Sequence, residues 1–125
     1  VGITDDGNAI LKDPMEHHAP TYIPEGYEIE REDLTFYYGS IRYVNNEGKF
    51  IKYYQDFNKY ATMYFDSEGA VLSDIFIDEY RGKYLEYPDE RKTQNVVMWT
   101  DGTYTYYIVS ELAYEELKIM AESVS

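Results

Sequence analysis

Four tight-turn signals punctuate this chain, and they constrain its fold more than any other feature. They are Pro24-Glu25-Gly26, Asn46-Glu47-Gly48, Asp66-Ser67-Glu68-Gly69 and Asp101-Gly102. Between them apolar and polar residues alternate, which is the period of a strand. Tyr27, Ile29 and Arg31 alternate with Glu28, Glu30 and Glu32, predicting a strand with one acidic face in water. Ile41, Tyr43 and Asn45 alternate with Arg42 and Val44, and Phe50 to Gln55 returns as the second arm of a hairpin. Asp56 to Lys59 reads as a polar break. Tyr60–Phe65, Val71–Ile77 and Lys83–Tyr87 follow as strands, the last two separated by the charged run Asp78 to Arg81 and by Gly82. Residues 88–94 read as an exposed loop of mixed charge. Asn95–Thr100 and Thr103–Val109 flank Asp101-Gly102, a pair suited to a type I′ turn.

The last segment changes period. Ala113, Leu117, Met120 and Val124 share one helical stripe, widened by Leu112 and Ala121. Glu111, Glu115 and Glu116 lie in or near its first turn, where the helix dipole favours anions. Tight turns make neighbouring strands antiparallel, and the helix needs a sheet face to bury its stripe. The expected fold class is α+β: an antiparallel sheet of about seven or eight short strands with a C-terminal helix packed on one face. Residues 1–21 read as an N-terminal arm, poorly ordered or loosely packed, because Asp5 to Asn8 is polar and Pro14 and Pro20 stop any helix. Residues 22–125 form a single β-rich domain.

Charge and composition narrow the partners. The chain carries a net charge of -13, which argues against nucleic acid and against an anionic membrane surface, both of which are bound through Lys and Arg. It has no cysteine, so disulfides, thiolate zinc sites and a cysteine nucleophile are excluded. No segment reaches the ~18 apolar residues of a membrane span. The chain opens on Val1, and the expectation is an upstream piece, a signal peptide or transmembrane segment, that has been removed. The 16 tyrosines suit a sheet with a broad aromatic face, since the ring packs on a pleated surface while the hydroxyl stays wet.

"PTYIPEGYEIE" near the start resembles the Pro-x-Tyr-(apolar)-Pro-Glu-Gly-Tyr opening of the domain-of-unknown-function family 4367. "VVMWTDGTYTYYIVSELAYEELKIMAESV" is similar to that family's closing pattern, a Trp-bearing hairpin followed by a helix with Glu-Glu-Leu and an Ala-Glu-Ser ending. "IRYVNNEGKFIKYYQ" and "DEYRGKYLEY" fit the middle more loosely, so the resemblance covers residues 20–124. Ala113 stands where such sequences carry a helix-capping Ser or Thr, so the cap is expected to pass to Ser110. The loop "PDERKTQ" departs from the pattern. The resemblance implies the extracytoplasmic C-terminal part of a membrane-anchored protein of Gram-positive bacteria, in some cases behind an anti-sigma-factor segment. It implies no activity and supplies no catalytic residues.

His17 and His18 follow Glu16, but a zinc site needs further rigid ligands, and an exposed, incidental pair is the favoured reading. The serines stand in no nucleophile-elbow context, and the carboxylates show no cleft, so no catalytic residue, metal ligand or cofactor is expected. Asp66-Ser67-Glu68 and Asp74 with Asp78 and Glu79 lack calcium-loop spacing and read as solvated turns. Trp99, with Tyr104, Tyr106 and Tyr107, reads either as a binding platform or as a core anchor beneath Leu117 and Met120, and the core reading is favoured. The doublets Tyr37-Tyr38, Tyr53-Tyr54 and Tyr106-Tyr107 are the candidate partner-binding aromatics. Adjacent strand residues face opposite sides, so each doublet sends one ring away from the core or across a second layer.

The expected function is a non-catalytic extracytoplasmic sensory or protein-interaction module of a membrane-anchored bacterial regulator. The partner, an unknown protein or small ligand, is not nucleic acid, and the membrane is met only through the removed anchor. The alternative is a small carrier holding an apolar ligand between sheet and helix.

Overall fold

A computed structural model describes residues 14–58, 70–87 and 94–125. The expected strand Tyr60–Phe65, the turn Asp66–Gly69, almost all of the loop 88–94 and residues 1–13 of the arm lie outside the described residues.

Alternation builds seven strands among the described residues: β1 (Glu28–Leu34), β2 (Tyr38–Val44), β3 (Phe50–Phe57), β4 (Val71–Ile77), β5 (Tyr80–Glu86), β6 (Asn95–Thr100) and β7 (Tyr104–Ser110). One helix, α1 (Tyr114–Glu122), closes the domain. The strands form a single antiparallel sheet in the order β1-β2-β3-β7-β6-β5-β4. The central neighbours β3 and β7 are distant in sequence, so the two outer hairpin systems meet at a non-local seam.

One face of that sheet carries the core. Ile41, Tyr43, Ile51, Tyr53, Tyr84, Val97, Trp99, Tyr106 and Ile108 are buried there with Leu117, Met120 and Ala121 of α1. The helix therefore uses the stripe its sequence predicts, and it packs over β4, β6 and β7. Its N-cap is Ala113, which makes no side-chain cap. Ser110 does not take over: it ends β7 and its hydroxyl accepts the Leu112 amide at 3.0 Å, one turn too early to serve the helix.

The arm over residues 1–21 divides. Its described part, residues 14–21, is docked on the core face beside the helix rather than loosely packed. Met15 and Pro20 are buried. Ala19 and Ser125 exchange backbone hydrogen bonds at 3.2 and 3.1 Å, and Pro20 forms a bridge with Val124. The reason is that α1 alone is too narrow to cover seven strands. The wet end of the face over β2 and β3 is closed by this strap.

Local rules also shift boundaries. A bulge between Ile29 and Arg31 breaks the alternation of β1, so Glu32 shares the Ile41 side while Arg31 and Asp33 share the opposite side. The acidic residues of β1 thus do not share one face. The expected break at Asp56 is not observed, because Asp56 and Phe57 pair with Thr105 and Tyr104. β5 begins at Tyr80 and runs through Gly82, where a Cβ would stand 2.2 Å from the Met98 carbonyl oxygen. In the last hairpin Asp101 pairs with Tyr104, and the tip moves one residue on to Gly102-Thr103. Only Gly102 of these takes a positive φ, 98°, whereas a type I′ turn needs two such residues.

Candidate functional site

The β1–β2 connection builds the most distinctive exposed surface. Thr35 organises it: its hydroxyl accepts the amides of Tyr37 and Tyr38 at 3.1 Å each, and its own amide donates to the Tyr38 carbonyl at 2.9 Å. The strap braces the same turn from beneath. The Met15 amide donates to the Phe36 carbonyl at 3.0 Å, and His17 Nε2 lies 2.7 Å from the Thr35 carbonyl. A donor-acceptor match at that distance puts the proton on Nε2. Backbone needs are thus met internally, and the side chains are pushed outward. Leu34 is 49% exposed, Phe36 64%, Tyr37 51% and Tyr38 42%. Four large apolar side chains in five residues thus stand exposed at one hairpin tip, a concentration that suits an interface core.

The other tyrosine doublets divide by the pleat. Tyr53 and Tyr106 are buried on the covered face and cannot meet a partner, which corrects their place among the candidate binding aromatics. Their hydroxyls are used inside. Tyr53 donates to the His18 carbonyl at 2.7 Å, and Tyr106 donates to Asp101 Oδ2 at 2.8 Å. Burial pushes both phenols well above the ordinary range, with the Asp101 carboxylate adding to the shift at Tyr106. Their neighbours Tyr54 and Tyr107 are half-buried on the reverse face, paired across β3 and β7 and stacked at 4.8 Å. Burial raises Tyr107 strongly, reinforced by the charge of Asp56. Tyr37 and Tyr38 alone of the six are openly exposed.

The histidine pair is neither exposed nor incidental. His18 donates its amide to Gln55 Oε1 at 2.9 Å, while Gln55 Nε2 donates to the Glu16 carbonyl at 2.9 Å. The Gln55 side chain, fully buried in the sheet, thus clasps the strap from both sides. No sequence signal pointed to this role, because a lone Gln in a strand reads as surface. The ring of His18 meets Tyr104 and Tyr106 edge-on at 5.8 and 6.4 Å.

Trp99 is buried in the core cluster with Leu117 and Met120, and stacks on Tyr106 at 5.2 Å. Near it, between the end of α1 and the sheet, lies a recess of about 190 Å³ bordered by His18, Asp78, Tyr80, Trp99, Asp101 and Tyr106. Burial acts to raise the pKa of Asp101. The amides of Tyr104 and Thr103, the Tyr106 hydroxyl and the nearby His18 together outweigh it and hold the carboxyl below the usual carboxylate range. Among the described residues no three of His, Asp and Glu gather in a way that would hold a metal ion. No helix there is long and apolar enough to cross a membrane.

A family model described as Domain of unknown function (DUF4367) matches residues 18–124. No curated protein and no solved structure matches the chain.

Proposed function

The chain belongs to the family described as Domain of unknown function (DUF4367), and from that premise we propose that it is a non-catalytic interaction module whose docking surface is the β1–β2 tip. In this reading it works outside a bacterial membrane, as the sensory or partner-binding part of an anchored regulator. The observation that carries the proposal is the tip itself. Leu34, Phe36, Tyr37 and Tyr38 are exposed, while Thr35 and the strap hold their backbone rigid. A preorganised aromatic patch binds without ordering a loop first, which is where much of the cost of association lies. The charge of -13 supports a protein or small-molecule partner over nucleic acid.

The carrier reading calls for a sizeable apolar cavity. The recess beside Trp99 measures about 190 Å³ and is bordered by two carboxylates, short of the ~300–1,000 Å³ of a ligand pocket. The filled core favours the interaction module.

Hydrogen exchange with and without candidate extracytoplasmic partners tests the proposal. Protection is expected at residues 34–38, and it should vanish in a Phe36→Ser/Tyr37→Ser variant whose melting temperature is unchanged. Protection confined to α1 and the recess beside Trp99 would move the binding site away from the tip and defeat the proposal.

A further inference from the structure

Three cations stand side by side on the reverse face of the sheet. Arg31 of β1 is directly opposite Arg42 of β2, and Arg42 is directly opposite Lys52 of β3. Residues opposed in this way share a face with Cβ atoms about 4.5–5.5 Å apart, and like charges so placed repel. The chain carries 11 Lys and Arg against 24 Asp and Glu. A sequence so rich in acids had every means to alternate the signs here, yet it stacks three of its scarce cations in one row.

The nearby acids do not neutralise the row. Arg31 Nε lies 3.0 Å from Asp33 Oδ2, and Arg42 Nε lies 3.1 Å from Glu30 Oε1. Both pairs engage the Nε atoms, so the terminal nitrogens of both guanidinium groups have no partner among the described residues. Arg42 Nε itself is buried, and its proton is not aimed well enough at Glu30 to form a hydrogen bond. The Lys52 ammonium has no carboxylate partner among the described residues. Two acids against three cations leave the row positive within a negative protein.

The row also has shape. It borders a recess of about 190 Å³ whose other walls include Ser40 and Tyr54. The Arg42 guanidinium lies over the Phe50 ring, 3.8 Å from its centre, which fixes its plane. Tyr54 is held in turn by its stack on Tyr107. Cationic side chains of three strands, Arg31, Arg42 and Lys52, therefore border one space with the hydroxyl-bearing Ser40 and Tyr54, against the single carboxylate Asp33, although the Arg42 head itself leans toward Phe50. A metal ion would be repelled there, and an apolar ligand would strand the charges. A planar carboxylate is satisfied by one arginine fork, whereas a tetrahedral oxyanion offers acceptors in several directions at once.

We propose that this recess binds a phosphate group, as inorganic phosphate or as a phosphate monoester. The overall negative field opposes any anion, so binding is weak and salt-sensitive.

The test is a titration followed through backbone amide NMR shifts, with inorganic phosphate and, separately, glycerol 3-phosphate, at ionic strength held constant with chloride. Saturable shifts confined to Arg31, Ser40 to Arg42 and Lys52 to Tyr54 are expected, with a dissociation constant below about 10 mM. Arg42→Gln/Lys52→Gln is expected to weaken binding at least about tenfold, and Lys83→Gln, the loss of one cation on a distant strand, by less than about twofold. Should the double variant fail to fold, Lys52→Glu removes the one unpaired cation and is expected to abolish the response. A stronger response to glycerol 3-phosphate assigns the site to an ester, and a stronger response to inorganic phosphate assigns it to the free ion. Shifts that scatter over the surface without saturating, an equal response to acetate, or an equal loss in Lys83→Gln would overturn the proposal.

Discussion

Replacing Gln55 by leucine should detach the strap from the sheet and so measure what the strap is worth. Gln55 is fully buried, and its amide group serves two backbone atoms, the His18 amide and the Glu16 carbonyl, at 2.9 Å each. Leucine fills similar space but offers neither a donor nor an acceptor. Each backbone group left unpaired while buried costs about 1–3 kcal/mol, so the ceiling is roughly 2–6 kcal/mol if the strap stays in place. It need not stay. Undocking restores water to both groups and forfeits instead the burial of Met15, worth about 1.5–3 kcal/mol, together with the Tyr53 bond to the His18 carbonyl. The smaller loss wins, and a net destabilisation of about 2–4 kcal/mol follows. Urea unfolding reads the stability, and amide exchange reads the location. The His18 amide should exchange far faster in the variant, and the Ala19 amide, held by Ser125, should follow if the strap lifts as a unit. A loss below about 0.5 kcal/mol with His18 still protected would show that Gln55 is not the clasp.

Two further outcomes follow from the core. Trp99→Ala removes a buried ring that stacks on Tyr106, and should cost about 3–5 kcal/mol in urea unfolding; a loss under about 1 kcal/mol would place the ring outside the core. Asp101 has a depressed pKa in the folded state, so its contribution is present above the unfolded value of about 3.9 and is lost as pH falls through the lower folded value. The stability advantage of the wild type over Asp101→Asn should therefore shrink as pH drops from about 5 to about 2, and a constant gap across that range would contradict the assignment.

The elements whose instructions are local were legible in the sequence. Val71–Ile77 and Asn95–Thr100 appear at the bounds their alternation predicts, and Leu117, Met120 and Ala121 bury the stripe that marks the helix. The errors arise where a distant partner overrides local chemistry. Asp56 reads as a break because it is charged, but β7 extends the ladder through it by pairing Thr105 opposite. Asp101-Gly102 reads as the turn tip, but the Asp101 carboxylate accepts the amides of Thr103 and Tyr104 and so acts as the residue before the tip. Pro14 to Thr21 reads as a loose arm because its anchors, Gln55, Tyr53 and Tyr104, lie far along the chain.

The same non-locality explains why only half of the candidate site is legible in the sequence. A tyrosine doublet in a strand states that the two rings part, and it does not state which ring faces the core. That choice belongs to whatever covers the sheet. Over β3 and β7 the helix and strap cover one face, and Tyr53 and Tyr106 turn inward while Tyr54 and Tyr107 remain on the other. Tyr37 lies in the turn, where the pleat does not sort the rings, while Tyr38 opens β2 on the reverse face opposite Asp56, away from the helix and strap. Leu34 joins them because β1 is the last strand of the sheet among the described residues, and Phe36 because it lies in the turn itself. Aromatic residues at the mouth of an edge hairpin, followed in sequence by a buried strand, are thus a stronger sign of a binding surface than tyrosine doublets alone. In this chain "LTFYYG" carries that sign, and the tyrosine doublets of β3 and β7 do not.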